Sequence, residues 1–177
     1  DVQATAAAVL LRFGDADAER MMDAFIADPD GSGWDEEVVA AALGVEGSAT
    51  AVPVLTRLVR SEIWDTRQLA ARSLGETKLP AARETLEKVL AEDDDEDVKT
   101  TAAAALIYGF GDSSGVEFLT TAVKESKDYE VVVEAIRALS VAGGSKDLFQ
   151  AAWDRKVTRV EHLLVKVWAA HALLKTP

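Results

Sequence analysis

The chain has no cysteine. That single absence excludes disulfide staples, thiol catalysis and every cysteine-based zinc or iron site. It leaves the compartment open, with the cytoplasm as the expectation. Proline and glycine are scarce, at 4 and 11 of 177 residues, which excludes loop-rich and collagen-like chains. The only two histidines, His162 and His171, stand nine positions apart and form no ligand pair at helical spacing. No uncharged apolar run reaches the roughly 18 residues of a membrane span. The chain also lacks a GxSxG elbow, a glycine-rich phosphate loop ahead of a lysine, and a dinucleotide fingerprint, so nucleophilic and nucleotide chemistry have no foothold. Positive charge is short as well: 19 Lys and Arg stand against 31 Asp and Glu, a net charge of −12. A face built to neutralise nucleic-acid phosphates or an anionic bilayer needs clustered cations. The expected partners are therefore proteins or peptides, with no nucleic acid and no membrane insertion.

What is abundant is Ala, Leu, Val and Glu, within a hydrophobic share of 49%, and these residues recur with a period. Leucines at positions 10, 43, 74, 106, 139 and 173 are separated by 31 to 34 residues. Three residues before each stands Ala7, Ala40, Ala71, Ala103, Ile136 or Ala170, and four before stands Ala6, Val39, Ala70, Ala102, Ala135 or Ala169. These offsets share one helical face. Eight before, Val2, Val98, Val131 and Val165 extend the stripe, while Asp35 and Thr66 interrupt it. Small alanines on that face let a neighbouring helix come close.

A bulkier stripe precedes the last five alanine helices by about 20 residues. It reads Met22, Phe25, Ile26; Leu55, Leu58, Val59; Leu86, Val89, Leu90; Leu119, Ala122, Val123; and Phe149, Ala152, Trp153. The i, i+3, i+4 spacing is that of an amphipathic helix burying one side. Each repeat thus reads as a bulky outer helix, a short turn and an alanine-rich inner helix. Glycines mark the expected turns at Gly14, Gly31 to Gly33, Gly44 to Gly47, Gly75, Gly109 to Gly111 and Gly143 to Gly144. Asp65 and Asp97 stand where N-cap carboxylates belong. The expected fold is all-α, a right-handed α-α superhelix of about five and a half helix-pair repeats. One repeat domain spans 1–177, and because its first inner helix lacks an outer partner, the stripe of Val2, Ala6, Val9 and Leu10 is expected to be short of cover. A piece of a longer protein is the reading that follows.

The segments AVPVLTRLV, Ala51 to Val59, and DTRQLAARSLG, Asp65 to Gly75, resemble the HEAT-repeat family, and within it the short bacterial HEAT-like repeats of the phycobilisome-lyase type. The resemblance is strongest over Thr50 to Gly75. It implies a ladder of Asp and a following basic residue along the stack, kept here as Asp65 with Arg67 and Asp97 with Lys99. It also implies three function classes. The leading one is a non-catalytic protein interaction scaffold that holds a peptide or protein on the concave face. The second is a bilin lyase-like enzyme subunit, and the third a nucleic-acid binder, which the acidity disfavours.

Groove-facing positions fall two and five residues before each leucine. They include Leu69, Arg72, Thr101, Glu134, Arg137, Trp168 and His171, whose mixture of arginine, aromatic and apolar groups suits recognition. The first two repeats offer only Thr5, Ala8, Val38 and Ala41 there. Trp34 and Trp64 read as packing residues. No cofactor is expected, with one calcium candidate: Asp28, Asp30 and Ser32 open as an EF-hand loop does, with Glu37 as the closing ligand, although Val39 stands where the bidentate glutamate belongs. The acidic run from Glu92 to Asp97 reads as a solvated turn, or as a docking point for a basic peptide.

Overall fold

A computed structural model describes residues 2–28, 31, 33–44, 48–156 and 162–176. The described residues form eleven α-helices: α1 (Val2–Leu11), α2 (Ala16–Ala27), α3 (Glu36–Leu43), α4 (Ala51–Leu58), α5 (Trp64–Thr77), α6 (Pro80–Glu92), α7 (Glu96–Phe110), α8 (Val116–Glu125), α9 (Tyr129–Ala142), α10 (Lys146–Asp154) and α11 (Leu163–Lys175). Odd-numbered helices form an inner row and even-numbered helices an outer row, the five and a half pairs of the repeat. Successive inner helices pack on one another from α1 to α11, whereas outer neighbours touch only in places. The inner row is therefore the shorter, concave side of an all-α solenoid.

Helix starts are fixed by short acidic or hydroxyl side chains. Asp15, Asp35, Asp95, Asp128 and Ser145 each accept amide hydrogens from the first turn of the helix that follows. This corrects the expected caps. Asp65 and Asp97 are the second residues of α5 and α7, and the cap positions belong to Ile63 and Asp95. At the other end, Gly111 (φ +63°) and Gly143 (φ +89°) close α7 and α9 in the left-handed conformation that a Cβ disfavours. Gly75 and Gly109, expected in turns, lie inside α5 and α7, which run on to Thr77 and Phe110.

The two stripes meet in the core. Leu43, Leu74, Leu106 and Leu139 are at most 1% exposed, as are the outer-row Phe25, Leu55, Leu86, Leu119 and Phe149. Each such side chain stabilises the fold by about 2 kcal/mol relative to exposure. Helix α7 is enclosed on both flanks. Its Ala102, Ala105 and Leu106 join the N-terminal half of the core, and its Ala103, Ala104 and Ile107 join the C-terminal half.

In α1 the register differs from the sequence pattern by one residue, and in α11 the pattern holds at Val165 and Ala169 but not at its leucine. In α1 the buried face is Ala4, Ala7, Ala8 and Leu11, and Val2 and Leu10 are 87% and 46% exposed. The core leucine is Leu11, so its spacing to Leu43 is 32 residues in place of 33. Because α2 and α3 both pack on α1, that buried face is covered, and the stripe expected to be short of cover is instead the solvent face. In α11 the buried set is Val165, Ala169 and Ala172, with Leu173 only half-buried.

The turns between outer and inner helices are tied together by a repeating contact. Ser61, Asp93 and Ser126 each stand three residues before an inner helix, and each accepts the amide two residues on, from Ile63, Asp95 and Asp128 at 3.2, 2.9 and 3.1 Å. Each also reaches back to the start of the preceding inner helix. Ser61 donates to Glu36, Ser126 donates to Glu96 at 3.0 Å, and Asp93 accepts a forked pair of hydrogen bonds from Arg67 at 2.8 and 3.1 Å. The expected ladder is thus replaced. Arg67 is paired with Asp93 rather than Asp65, and Asp97 makes no ion pair with Lys99.

Candidate functional site

Helices α5, α7, α9 and α11 present one face each to the concave side, and their side chains make a connected row. Two adjoining cavities of about 390 and 290 Å³ lie between α5, α7 and α9, and both are bounded by Arg72, Thr101, Glu134 and Arg137. Four of the seven residues expected in the groove are therefore brought together. Thr101 is 5% exposed and Ala104 2%, so they form its floor, against the expectation that they point outward. Alanine and threonine are small enough here for α5 and α9 to close over α7. Ala8 of α1 is fully buried for a different reason, the register shift of that helix.

From the floor the row continues as linked polar and aromatic groups. Glu134 accepts a hydrogen bond from Arg137 at 2.7 Å, one turn along α9. The Arg137 guanidinium sits 5.1 Å above the Trp168 ring of α11. Trp168 in turn meets His171 edge to face, with ring centroids 5.6 Å apart. Trp168 and His171 thus extend the row beyond the two cavities. Leu69 departs from it: its side chain is half-buried against the N-terminal core, and Gln68 takes the place beside Arg72.

The groove also contains a residue that the repeat template passes over. Tyr108 lies one turn beyond Ala104 on the same face of α7 and borders the larger cavity. Burial, with the Glu134 carboxylate nearby, holds its hydroxyl well above the ordinary phenol range, so it stays a protonated donor. The template ended α7 at its leucine and read Gly109 as a turn. Continuing the i, i+3, i+4 series from Thr101 and Ala104 by one more turn finds it.

At the entrance to the smaller cavity stands Asp97, half-buried, with its pKa pushed up to about 6 by burial and by Asp128, Asp95, Glu130 and Glu96. This end of the groove is strongly negative. Half of the acidic run from Glu92 to Asp97 is taken up locally: Asp93 holds Arg67, Asp95 caps α7 and Glu96 accepts from Ser126.

Of the calcium candidate, Asp30 and Ser32 lie outside the described residues. Asp28 accepts the Gly31 amide at 3.0 Å, and Glu37 lies in the first turn of α3 that Asp35 caps. Trp34 stacks on Phe25 at 5.9 Å, as a packing residue should. Trp64 is only partly covered, 45% exposed at the start of α5.

No curated protein matches the chain. Residues 30–107 match the family model described as HEAT repeats. The match spans α3 to α6 and most of α7, and the same alternation of inner and outer helices continues on either side of it. The comparison thus identifies HEAT repeats over residues 30–107, within an all-α solenoid.

Proposed function

We propose that this chain is a non-catalytic scaffold that holds a peptide or protein along its concave face, between α5 and α11. HEAT repeats generally serve as protein-interaction scaffolds. The observation that carries the finer reading is the continuous row of Arg72, Tyr108, Glu134, Arg137, Trp168 and His171, which crosses four successive inner helices. Arginine, tyrosine and tryptophan are the residue types on which interface energies concentrate. Here Arg137 is held by Glu134 and Trp168, and Trp168 meets His171, so these side chains are not left to swing freely, which lowers the ordering cost of binding. An extended partner laid across the row meets a floor of alanine and threonine, aromatic walls, arginine donors and a carboxylate acceptor.

The test is quantitative affinity capture from the native cell with the unaltered protein and with an Arg137→Glu, Trp168→Ala variant. Both changes lie at partly exposed positions, so circular dichroism should be unchanged. The proposal expects a protein retained by the first and lost from the second. The same retained proteins in equal amount on both would contradict it.

A further inference from the structure

In a chain with 31 acidic residues against 19 basic ones, four of the basic side chains line a single small pocket. It lies where the turn before α9, the end of α10 and the start of α11 converge, and Tyr129 separates it from the smaller groove cavity. Its volume is about 230 Å³, and its charged walls are Lys127, Arg155, Lys156 and Lys166, with His162 beside them. Its floor is apolar, made of Val132, Ala152 and Val165, which belong to the C-terminal core. The Tyr129 and His162 rings face each other across one side, 5.7 Å apart.

The charges are positioned rather than accidental. Arg155 donates to the carbonyls of Val123 and Ser126, which fixes its guanidinium at the wall as a permanent charge. Lys166 is folded over the Trp153 ring at 5.4 Å and donates to the Trp153 carbonyl. Lys127 and Lys156 stand exposed at the rim, and neither forms an ion pair or hydrogen bond with another described residue. Of the acids close in sequence, Asp128 accepts the Glu130 amide and Glu130 the Tyr129 hydroxyl, both at 2.8 Å, Asp154 accepts from Gln150 at 3.1 Å, and no described acid lines the pocket. Helix α11 also starts at this pocket, and His162 at its N-cap gives no side-chain cap, so the positive end of that helix adds to the same field.

Converging cations over an apolar floor select an anion with an apolar body. Lone oxyanions stay better solvated in water, and a neutral apolar group gains nothing from four cations. The number of charges favours a doubly charged head, and a phosphate monoester carries about −1.5 to −2 at neutral pH. The volume is below the roughly 300–1,000 Å³ of drug-sized sites, which limits the body to a short apolar or aromatic stem. We propose that this pocket binds a phosphate monoester on such a stem, either as a free small molecule or as the phosphorylated side chain of a partner.

Isothermal titration calorimetry of the chain with phenyl phosphate, inorganic phosphate and a short phosphotyrosine peptide tests it. Phenyl phosphate is expected to bind more tightly than inorganic phosphate, because only it reaches the floor. Lys127→Glu with Lys156→Glu, both at exposed positions, should weaken binding by about tenfold, since each exposed charge contact contributes modestly. A control pair, Lys88→Glu with Lys146→Glu, carries the same charge change on other surfaces and should leave affinity unchanged. The peptide arm assigns the source: binding at least as tight as phenyl phosphate points to a partner's side chain, and binding of the free ester alone points to a small molecule, and either supports the site. No heat with any of the three, equal loss in both variant pairs, or inorganic phosphate binding as tightly as phenyl phosphate would overturn the proposal.

Discussion

A side chain on Gly109 would begin 2.4 Å from the carbonyl oxygen of Gly75. The two glycines sit where α5 and α7 approach closely, and a Cβ on Gly75 would meet the Ala105 methyl at 2.7 Å. Neither glycine is in a turn. Their role is to remove the atoms that would hold two inner helices apart in the middle of the groove.

Gly109→Ala is therefore expected to destabilise the fold. On an open helix surface this substitution gains about 1 kcal/mol from helix propensity. Here the new methyl meets backbone, which cannot swing away, and overpacking of that kind costs about 1–3 kcal/mol. The net expectation is a loss of up to about 2 kcal/mol, read as a lower urea midpoint with an unchanged slope. A gain in stability would show that the two helices separate freely.

The Arg67 and Asp93 pair should be worth more than an ordinary surface ion pair. Their side chains are only 17% and 8% exposed, and Arg67 also donates to the Ser61 and Glu62 carbonyls at 3.0 and 3.3 Å. Arg67→Ala leaves a largely buried carboxylate unpaired and two carbonyls without that donor. The expected loss is about 3 kcal/mol. Arg67→Lys should recover only part of it, because a lysine cannot fork across both carboxylate oxygens. Equal stability of the lysine variant and the parent in chemical denaturation would contradict the forked pairing.

Asp97 makes stability depend on pH in an unusual direction. Its folded-state pKa, about 6, lies above its ordinary value of 3.8, so the folded state holds this proton more tightly than the unfolded state does. The charged form therefore weakens the fold above pH 6, and the penalty fades as pH falls from about 6 toward 4. The helix N-terminus favours a negative charge here, but burial and four neighbouring carboxylates outweigh it. After allowance for solvent screening at this half-buried position, Asp97→Asn should stabilise the protein by about 1 kcal/mol at neutral pH. At pH 4 the gain should vanish. Thermal melts at the two pH values provide the check, and an equal effect at both would reject the assignment.

How much of this was legible beforehand follows from which physical signal each residue carries. Leu43, Leu74, Leu106 and Leu139 announce the inner row because burial of a large apolar group leaves a strong periodic trace. In α1 every candidate on both faces is alanine, valine or leucine, so composition alone does not decide between Leu10 and Leu11, and the packing of α2 and α3 does. Glycine is ambiguous in the same way. It signals a left-handed turn at Gly111 and Gly143 and a close helix crossing at Gly75 and Gly109, and only the three-dimensional neighbours separate the two. The groove set was largely readable from register, since Arg72, Glu134 and Arg137 fall on the predicted face. Thr101 was placed correctly along the helix, but its burial depends on how closely α5 and α9 approach. The Arg67 to Asp93 contact spans 26 residues of sequence and one whole helix pair, so no local pattern encodes it.

The central claim, that partners lie along the concave row, is tested most directly by site-specific photo-crosslinking in the native cell. One set of probes replaces Glu76 and His171 in the groove, and another replaces Glu84 of α6 and Gln150 of α10 on the outer row; all four positions are exposed. The account predicts a discrete crosslinked partner from the two groove positions and none from the outer pair. A partner captured only from Glu84 or Gln150, with both groove probes silent, would contradict it.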